Sequence, residues 1–238
     1  MQIQDVLDSH EKILFLLNGG KDSVAAFYHL EEHWDRLDVG WIHTNDFCPE
    51  IEEFVRSTAI KAKSFTTVYS DSKKWQIENG WPYPVVPMDY TPLGQKVNGK
   101  TPITISSYLD CCKANIWDMI PVLIQEIGAT AVLTGQRKQD HSKDPRPSGA
   151  WIKGAQYFYP IDDWTDDQVR AYLKDHVGLT DPRFYTDDTS IDCRNCTGYP
   201  QYKTRTEYIK THHPEQHAEV DRRWSLIKDA VHGVTNEI

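Results

Sequence analysis

The sequence predicts an α/β fold, a parallel twisted sheet flanked by helices with a helical C-terminal segment. Three observations predict it. Short apolar runs of strand length alternate with stretches of helical periodicity, the first run leads through a glycine pair straight into a helix, and residues 199–238 are polar with helical character. With 238 residues, 39% hydrophobic and 26% charged, the chain suffices for one large domain or a domain with an appendage. We place a main domain at 1–198 and a helical tail at 199–238.

Taken in order, Ile13-Leu14-Phe15-Leu16-Leu17 is an uninterrupted apolar run bounded by turn residues, as a parallel strand buried on both faces requires. Gly19-Gly20 make a turn, and the helix follows through Ser23–Leu30. Asp38–Thr44 reads as the second strand. Pro49–Lys63 reads as the second helix, with Ile51, Phe54, Val55 and Ile60 at helical spacing, and Ser64–Tyr69 as a β-rich third strand. Residues 80–106, with Pro82, Pro84, Pro87, Pro92 and Pro102, predict a long irregular active-site loop. A helix over Lys113–Ile127, a strand over Ala129–Thr134 and a mobile loop interrupted by Pro145 and Pro147 come next. Thr165 caps a helix over Asp166–His176, with Gln168 at the capping-box position. In open parallel sheets ligands bind beyond the carboxyl ends of the strands. Gly19-Gly20, Thr44-Asn45-Asp46 and Gly135-Gln136-Arg137 all follow expected strands.

Composition narrows the function. No apolar run approaches the ~20 residues of a spanning helix, and Met1-Gln2-Ile3-Gln4-Asp5 does not open a signal peptide. We therefore expect a cytoplasmic, non-membrane protein whose cysteines live in a reducing environment and serve metal binding or catalysis. A net charge of −9 argues against broad nucleic-acid binding, leaving only local basic segments at Arg137-Lys138 and Lys203–Lys210.

Two motifs carry chemistry. In Asn18-Gly19-Gly20-Lys21-Asp22-Ser23 the glycines let backbone approach a phosphate, the helix terminus supplies N–H groups, Lys21 a cation and Ser23 a hydroxyl. The segment is too short for a Walker loop. Cys111-Cys112 and Cys193-Arg194-Asn195-Cys196 are separated by 80 residues and together offer four thiolates to one metal centre. Adjacent cysteines are poorly disposed to bridge each other. Tetrahedral thiolates suit zinc and iron–sulfur alike.

The six-residue loop resembles the PP-loop of the adenine nucleotide α-hydrolase superfamily, with Asn18 where a serine is usual. Asp110-Cys111-Cys112-Lys113, Thr134-Gly135-Gln136-Arg137-Lys138, Pro160-Ile161-Asp162-Asp163-Trp164-Thr165 and Ser190–Cys196 follow in the order found in the adenylylsulfate and phosphoadenylylsulfate reductase family, and the chain is similar to its iron–sulfur branch over about 10–200. The resemblance implies an adenine nucleotide α-hydrolase-like fold and a 4Fe-4S cluster on Cys111, Cys112, Cys193 and Cys196, with Lys113 lending positive charge beside it. It further implies an adenine nucleotide (ATP or adenylyl sulfate) held by Asn18, Gly19, Gly20, Lys21, Asp22, Ser23, Gly135, Arg137 and Lys138. Arg137 suits bidentate recognition of phosphate or sulfate, and Gln139-Asp140-His141-Ser142 extends that motif. Asp22 and Asp46 could orient Mg2+ beside the phosphates or serve as caps.

The chain departs from the reductases in its tail, Val231–Ile238, which lacks their nucleophilic cysteine. Cys48 is the remaining thiol, either a transient sulfur carrier or a packed small hydrophobe. Gly-Gly-Lys-Asp-Ser is more typical of relatives that cleave ATP between the α and β phosphates, among them tRNA thiolation enzymes and a sulfurtransferase acting on DNA. We therefore expect ATP pyrophosphatase or sulfurtransferase chemistry, with Lys21, Ser23, Arg137 and Lys113 as the catalytic set. The alternatives are thiol-dependent reduction of adenylyl sulfate and a non-catalytic nucleotide-binding redox module. The implied partners are a sulfur donor or a thiol reductant such as thioredoxin and a tRNA or DNA acceptor, with a homo-oligomer left open. Trp164 is expected to pack, and His213 and His217 to be surface residues rather than metal ligands.

Overall fold

A computed structural model describes residues 3–140, 147–180 and 193–235. In chain order the strands are β1 (Ile13–Leu16), β2 (Leu37–His43), β3 (Ser64–Tyr69), β4 (Trp81–Tyr83), β5 (Ile105–Ser107), β6 (Ala131–Thr134), β7 (Ala150–Ile152) and β8 (Ala155–Phe158). The helices are α1 (Ile3–Ser9), α2 (Lys21–His29), α3 (Pro49–Ala59), α4 (Ser72–Asn79), α5 (Pro92–Asn98), α6 (Tyr108–Cys112), α7 (Met119–Ile127), α8 (Asp166–Asp175), α9 (Lys203–His212) and α10 (Pro214–Thr235). They group into two compact units, one of Met1–His43, Pro49–Val68 and Met119–Thr186, the other of Thr44–Cys48, Tyr69–Asp118 and Asp187–Ile238.

The first unit is built on a six-stranded sheet in the order β3-β2-β1-β6-β8-β7. β1 pairs in parallel with β2 and β6, β6 pairs in parallel with β8, and the edge strand β7 runs antiparallel to β8. Ile13, Leu14 and Phe15 are fully buried. Successive strand side chains point to opposite faces, so a continuous apolar run needs cover on both. Phe15 meets Phe27 of α2 on one face, with ring centroids 5.4 Å apart. Leu14 joins Leu123 and Ile124 of α7 on the other. The expected parallel sheet between helices is therefore the observed one, mostly parallel because β7 runs antiparallel to β8. α8 begins with the expected capping box: Thr165 Oγ1 accepts from Gln168 N at 3.3 Å and Gln168 Oε1 accepts from Thr165 N at 2.8 Å. Trp164 packs as expected, against His29 and Tyr172 at 5.0 Å each.

The β7–β8 hairpin was not anticipated. It turns at Lys153-Gly154, with φ of 51° and 96°, the left-handed pair that two-residue hairpins favour. Pro145, read as part of a loop, lies outside the described residues, whereas the Pro147 carbonyl accepts from Ala150 N at the start of the hairpin.

In the second unit, residues 80–106 are more ordered than an irregular loop. β4 and β5 pair in parallel, and between them lie a 3-10 turn at Met88–Tyr90 and α5. The prolines and glycines that read as breakers have defined places. Pro92 occupies the first turn of α5, where its missing N–H costs nothing, and the Thr91 side chain accepts from Gly94 N. The core joins Ile105 to Ile227 and Ala230 of α10, flanked by Trp81, Tyr83, Val86, Tyr90 and Ile103. The C-terminal segment is helical over α9 and α10, as expected, and α10 carries a buried stripe, Val220, Trp224 and Ile227, at helical spacing. The helix expected from Lys113 begins instead at Tyr108, passes through a π-helical turn at Lys113–Trp117 and resumes at Met119. Among the described residues no helix is long and apolar enough to cross a membrane.

Candidate phosphate loop and four-cysteine site

In the first unit, Asn18–Gly20 join the carboxyl end of β1 to α2. Gly19 has φ of +82°, and a Cβ there would lie 2.8 Å from Val55 of α3, so the turn admits glycine alone. The loop closes on the Asn18 amide: its Oδ1 accepts from Gly20 N at 3.0 Å and from the Ser23 hydroxyl at 2.5 Å. Ser23 Oγ also contacts the Gly20 carbonyl at 3.0 Å. Asn18 thus stands in for the customary serine by bracing the loop. Gly20 is the N-cap of α2, and no side chain caps that terminus. The helix start therefore presents backbone N–H dipoles and partial positive charge where an anion would be held.

The second loop of this unit follows β6. Thr134 Oγ1 accepts from Gln136 N at 3.0 Å, turning the chain at Gly135 so that the two loops touch. A Cβ on Gly135 would lie 2.4 Å from the Asp22 carbonyl oxygen and 2.6 Å from Ser23 Cα. Arg137 is only 2% exposed and Lys21 only 10%. Lys21 Nζ reaches both Asp22 carboxylate oxygens at 2.9 Å, and Arg137 Nε lies 3.1 Å from Asp22 Oδ1. Asp166, the first residue of α8, faces the same cations, with Oδ1 at 2.7 Å from Lys21 Nζ and 2.8 Å from Arg137 Nη2. Hydrogen bonding from Lys21, then from Arg137, holds its carboxyl down at about 2. Lys138 is exposed and pairs with Asp163 and, at 3.6 Å, Asp162. These acidic partners, Asp163 first, raise its pKa. His141 and Ser142 lie outside the described residues.

The four cysteines belong to the second unit, and none of the chain's five forms a disulfide. Cys111 and Cys112 end α6, and the π-helical turn follows at once, marked by Asp118 N donating to the Lys113 carbonyl at 2.8 Å. Widening the turn deprives a carbonyl of its usual i+4 partner. Here the buried Asn115 side chain donates to the Cys111 carbonyl at 3.0 Å, and its Nδ2 lies 3.8 Å from Cys111 Sγ. Burial, then the neighbouring Cys196 and Cys112 sulfurs, push the Cys111 thiol up to about 12. The sulfur of Cys112 lies 3.7 Å from the Tyr199 hydroxyl. Burial first, and then Cys112, raise the pKa of that phenol.

Cys193 and Cys196 sit on a tight turn, with Cys196 N donating to the Cys193 carbonyl at 3.1 Å. Asp46 fixes this turn. Wholly buried, it accepts from Asn195 N at 2.9 Å and Asn195 Nδ2 at 2.5 Å, while its own carbonyl accepts from Arg194 N at 2.8 Å. Burial raises its pKa, opposed by the two Asn195 hydrogen bonds and by Lys73. Asn45 reaches φ of 56° to turn the chain into this position, a conformation asparagine tolerates. Thr44 Oγ1 lies 3.4 Å from Cys193 Sγ, and the buried Arg205 of α9 donates to the Cys193 carbonyl at 2.5 Å. Gly198 N donates to Cys196 Sγ at 3.3 Å. A Cβ on Gly198 would crowd that sulfur at 3.3 Å and Tyr108 Cβ at 2.7 Å. Cys111 feels the sulfurs of Cys112 and Cys196, and N–H, amide and phenol groups lie against these thiols, the donor types that accompany soft-metal ligands. The Lys113 ammonium, 60% exposed, pairs with Asp118 at 2.5 Å. Ser190, Ile191 and Asp192 lie outside the described residues.

The structure thus brings Asn18, Gly19, Gly20, Lys21, Asp22, Ser23, Gly135 and Arg137 together in one unit. In the other it brings Asp46 to the cysteine turn. Sequence reasoning missed Asp166, Asn115, Tyr199 and Arg205. Asp166 alone had a signal, an acidic residue directly after a helix cap.

A glycine turn at a strand end, running into a helix and bordered by Lys21 and the buried Arg137, gives this α/β protein the layout of an anion-binding loop. Residues 12–199 match the family described as phosphoadenosine phosphosulfate reductase domain, and the chain belongs to that family. Among solved structures it is similar to phosphoadenylyl-sulfate (PAPS) reductase from Candida auris in a phosphate complex, at 14% identity over 74% of this chain and 77% of that one, with a TM-score of 0.50. It is also similar to the NH3-dependent NAD synthetase of Campylobacter jejuni subsp. jejuni, at 12% identity over 98% and 96% of the two chains, with a TM-score of 0.47. No curated protein matches it.

Proposed function

We propose that this chain is an iron–sulfur enzyme of nucleotide-dependent sulfur metabolism that cleaves ATP between its α and β phosphates to activate a sulfur acceptor. The observation that carries the reading is the pair of cations beside the glycine turn, the buried Arg137 and the mostly covered Lys21. Backbone N–H groups at the start of α2, with Lys21 and Arg137, would hold the phosphate chain. As an acceptor oxygen attacks the α-phosphorus, the bond to the bridging oxygen breaks and pyrophosphate leaves with the electron pair. Its growing charge falls on the two cations, the preorganised electrostatic stabilisation that carries much of such catalysis. Cys48, the thiol outside the four-cysteine set, is fully buried, which supports chemistry needing no protein thiol nucleophile over reduction of adenylyl sulfate.

Cys111, Cys112, Cys193 and Cys196 fit a 4Fe-4S cluster, with Gly198 N–H and the Tyr199 hydroxyl as donors to sulfur. When bound, such a cluster supplies redox or sulfur-binding chemistry. Zinc is the competing occupant.

Turnover of ATP by wild type and by the Lys21→Met and Arg137→Met variants tests the reading. We expect pyrophosphate release to fall by about 10²-fold or more in each variant and to persist in Cys48→Ser. Thiol-dependent sulfite release from adenylyl sulfate, without pyrophosphate release from ATP, would assign the chain to reduction instead.

A further inference from the structure

Asp166 is the member of the cation cluster to which phosphate binding assigns no task. It enters from α8, far along the chain from the loop, and its side chain is 44% exposed, against 10% for Lys21 and 2% for Arg137. A single carboxylate oxygen, Oδ1, receives both cations, Lys21 Nζ at 2.7 Å and Arg137 Nη2 at 2.8 Å. An ammonium and a guanidinium converging on one anionic oxygen is the geometry with which these groups hold a phosphate oxygen. Asp22 also touches both cations, but it belongs to the loop itself and remains part of the cradle. The formal charges of Lys21, Arg137, Asp22 and Asp166 cancel, so a nucleotide phosphate meets a neutralised site. Full cation contact requires the partly exposed carboxylate to give way.

We propose that Asp166 is an internal stand-in for a substrate phosphate, occupying Lys21 and Arg137 in the nucleotide-free protein and competing with the incoming anion. The proposal rests on the phosphate-loop reading and deepens it, because Asp166 then sets which anions the site accepts. A multiply charged phosphate chain engages both cations and the helix terminus together, and so displaces the carboxylate. Nitrate, with one charge, cannot match it. Asp166 makes the site selective for polyphosphate at the cost of raw affinity, since binding is weakened by the fraction of sites already occupied from within.

The test is calorimetric titration of the full chain with inorganic pyrophosphate, with nitrate and with ATP, using wild type, Asp166→Asn and Asp167→Asn. Asp167 is the exposed neighbour in the sequence, and its substitution removes the same charge from the same helix turn. We expect Asp166→Asn to bind pyrophosphate roughly tenfold tighter, to gain measurable nitrate binding, and Asp167→Asn to change affinity less than about threefold. Asp166→Ser, which retains a polar group at the helix start, answers the question if circular dichroism shows the asparagine variant unfolded. Equal or weaker pyrophosphate binding by folded Asp166 variants, with ATP binding intact, would overturn the proposal and leave the phosphate loop standing. Absence of both pyrophosphate and ATP binding in every protein would remove the phosphate-loop reading and this proposal with it.

Discussion

Replacing Gly135 by alanine probes the contact between the two loops of the proposed phosphate site. The added Cβ would lie 2.4 Å from the Asp22 carbonyl oxygen, 2.5 Å from its carbon and 2.6 Å from Ser23 Cα, where ordinary contact begins at 3.4 Å. The two loops must therefore separate by about 1 Å, and because every atom met is backbone, no rotamer change relieves the clash. Overpacking of this kind costs about 1–3 kcal/mol, which for a chain of this size lowers Tm by roughly 3–9 °C. The displaced atoms are those of Asp22 and Ser23, so the shift falls on the phosphate loop itself. A misplacement of about 1 Å in a preorganised site costs up to about 10²-fold, and ATP affinity should fall by roughly tenfold to a hundredfold. Differential scanning calorimetry and ATP titration read the two effects. Gly233 on α10 is the control: a Cβ there meets nothing within 4 Å, so Gly233→Ala should stabilise by about 0.5–1 kcal/mol and leave ATP binding unchanged. A Gly135→Ala protein with wild-type Tm and ATP affinity would refute the reasoning.

Other perturbations test separate parts of the account. Thr165→Ala removes the acceptor for Gln168 N and should cost about 1 kcal/mol, read as a fall of a few degrees in Tm. Asn115→Leu leaves the Cys111 carbonyl without its side-chain donor. It should cost about 1–3 kcal/mol and, under the proposed iron–sulfur reading, lower the iron bound per chain, whereas unchanged stability would show that the amide does not brace the π-helical turn. Asp166 has a carboxyl held at about 2, below its ordinary 3.8. Its contribution to stability is therefore fully present above that ordinary value and lost as pH falls towards 2. Urea midpoints of wild type and Asp166→Asn should converge across that interval, and a difference that stays constant would contradict the ion-pair assignment. The effect is reduced by solvent, since this side chain is 44% exposed.

The central strands were legible because burial on both faces forces an uninterrupted apolar run, as in Ile13–Leu16. The capping box at Thr165 and Gln168 was legible because its two reciprocal bonds are local. Residues 80–106 were misread because proline and glycine look alike as breakers and as helix-starting or close-packed residues. Pro92 opens α5, and Gly94 is packed so closely against the Met88 carbonyl that no Cβ fits. The β7–β8 hairpin was missed because Lys153 is not a residue expected at positive φ. Asp22 and Asp46 shared one reading, phosphate-site cation or cap, yet Asp46 is buried against Asn195. Asp166 depends on partners brought near by the fold, and the buried Asn115 amide meets the Cys111 carbonyl only once the π-helical turn is formed, so neither leaves a periodic trace.

Chromatographic identification of the products formed from ATP, with anaerobically prepared protein and a sulfur acceptor, tests the central claim most directly. The account predicts AMP or an adenylylated acceptor together with pyrophosphate. ADP and inorganic phosphate, or intact ATP beside sulfite formed from adenylyl sulfate, would contradict it.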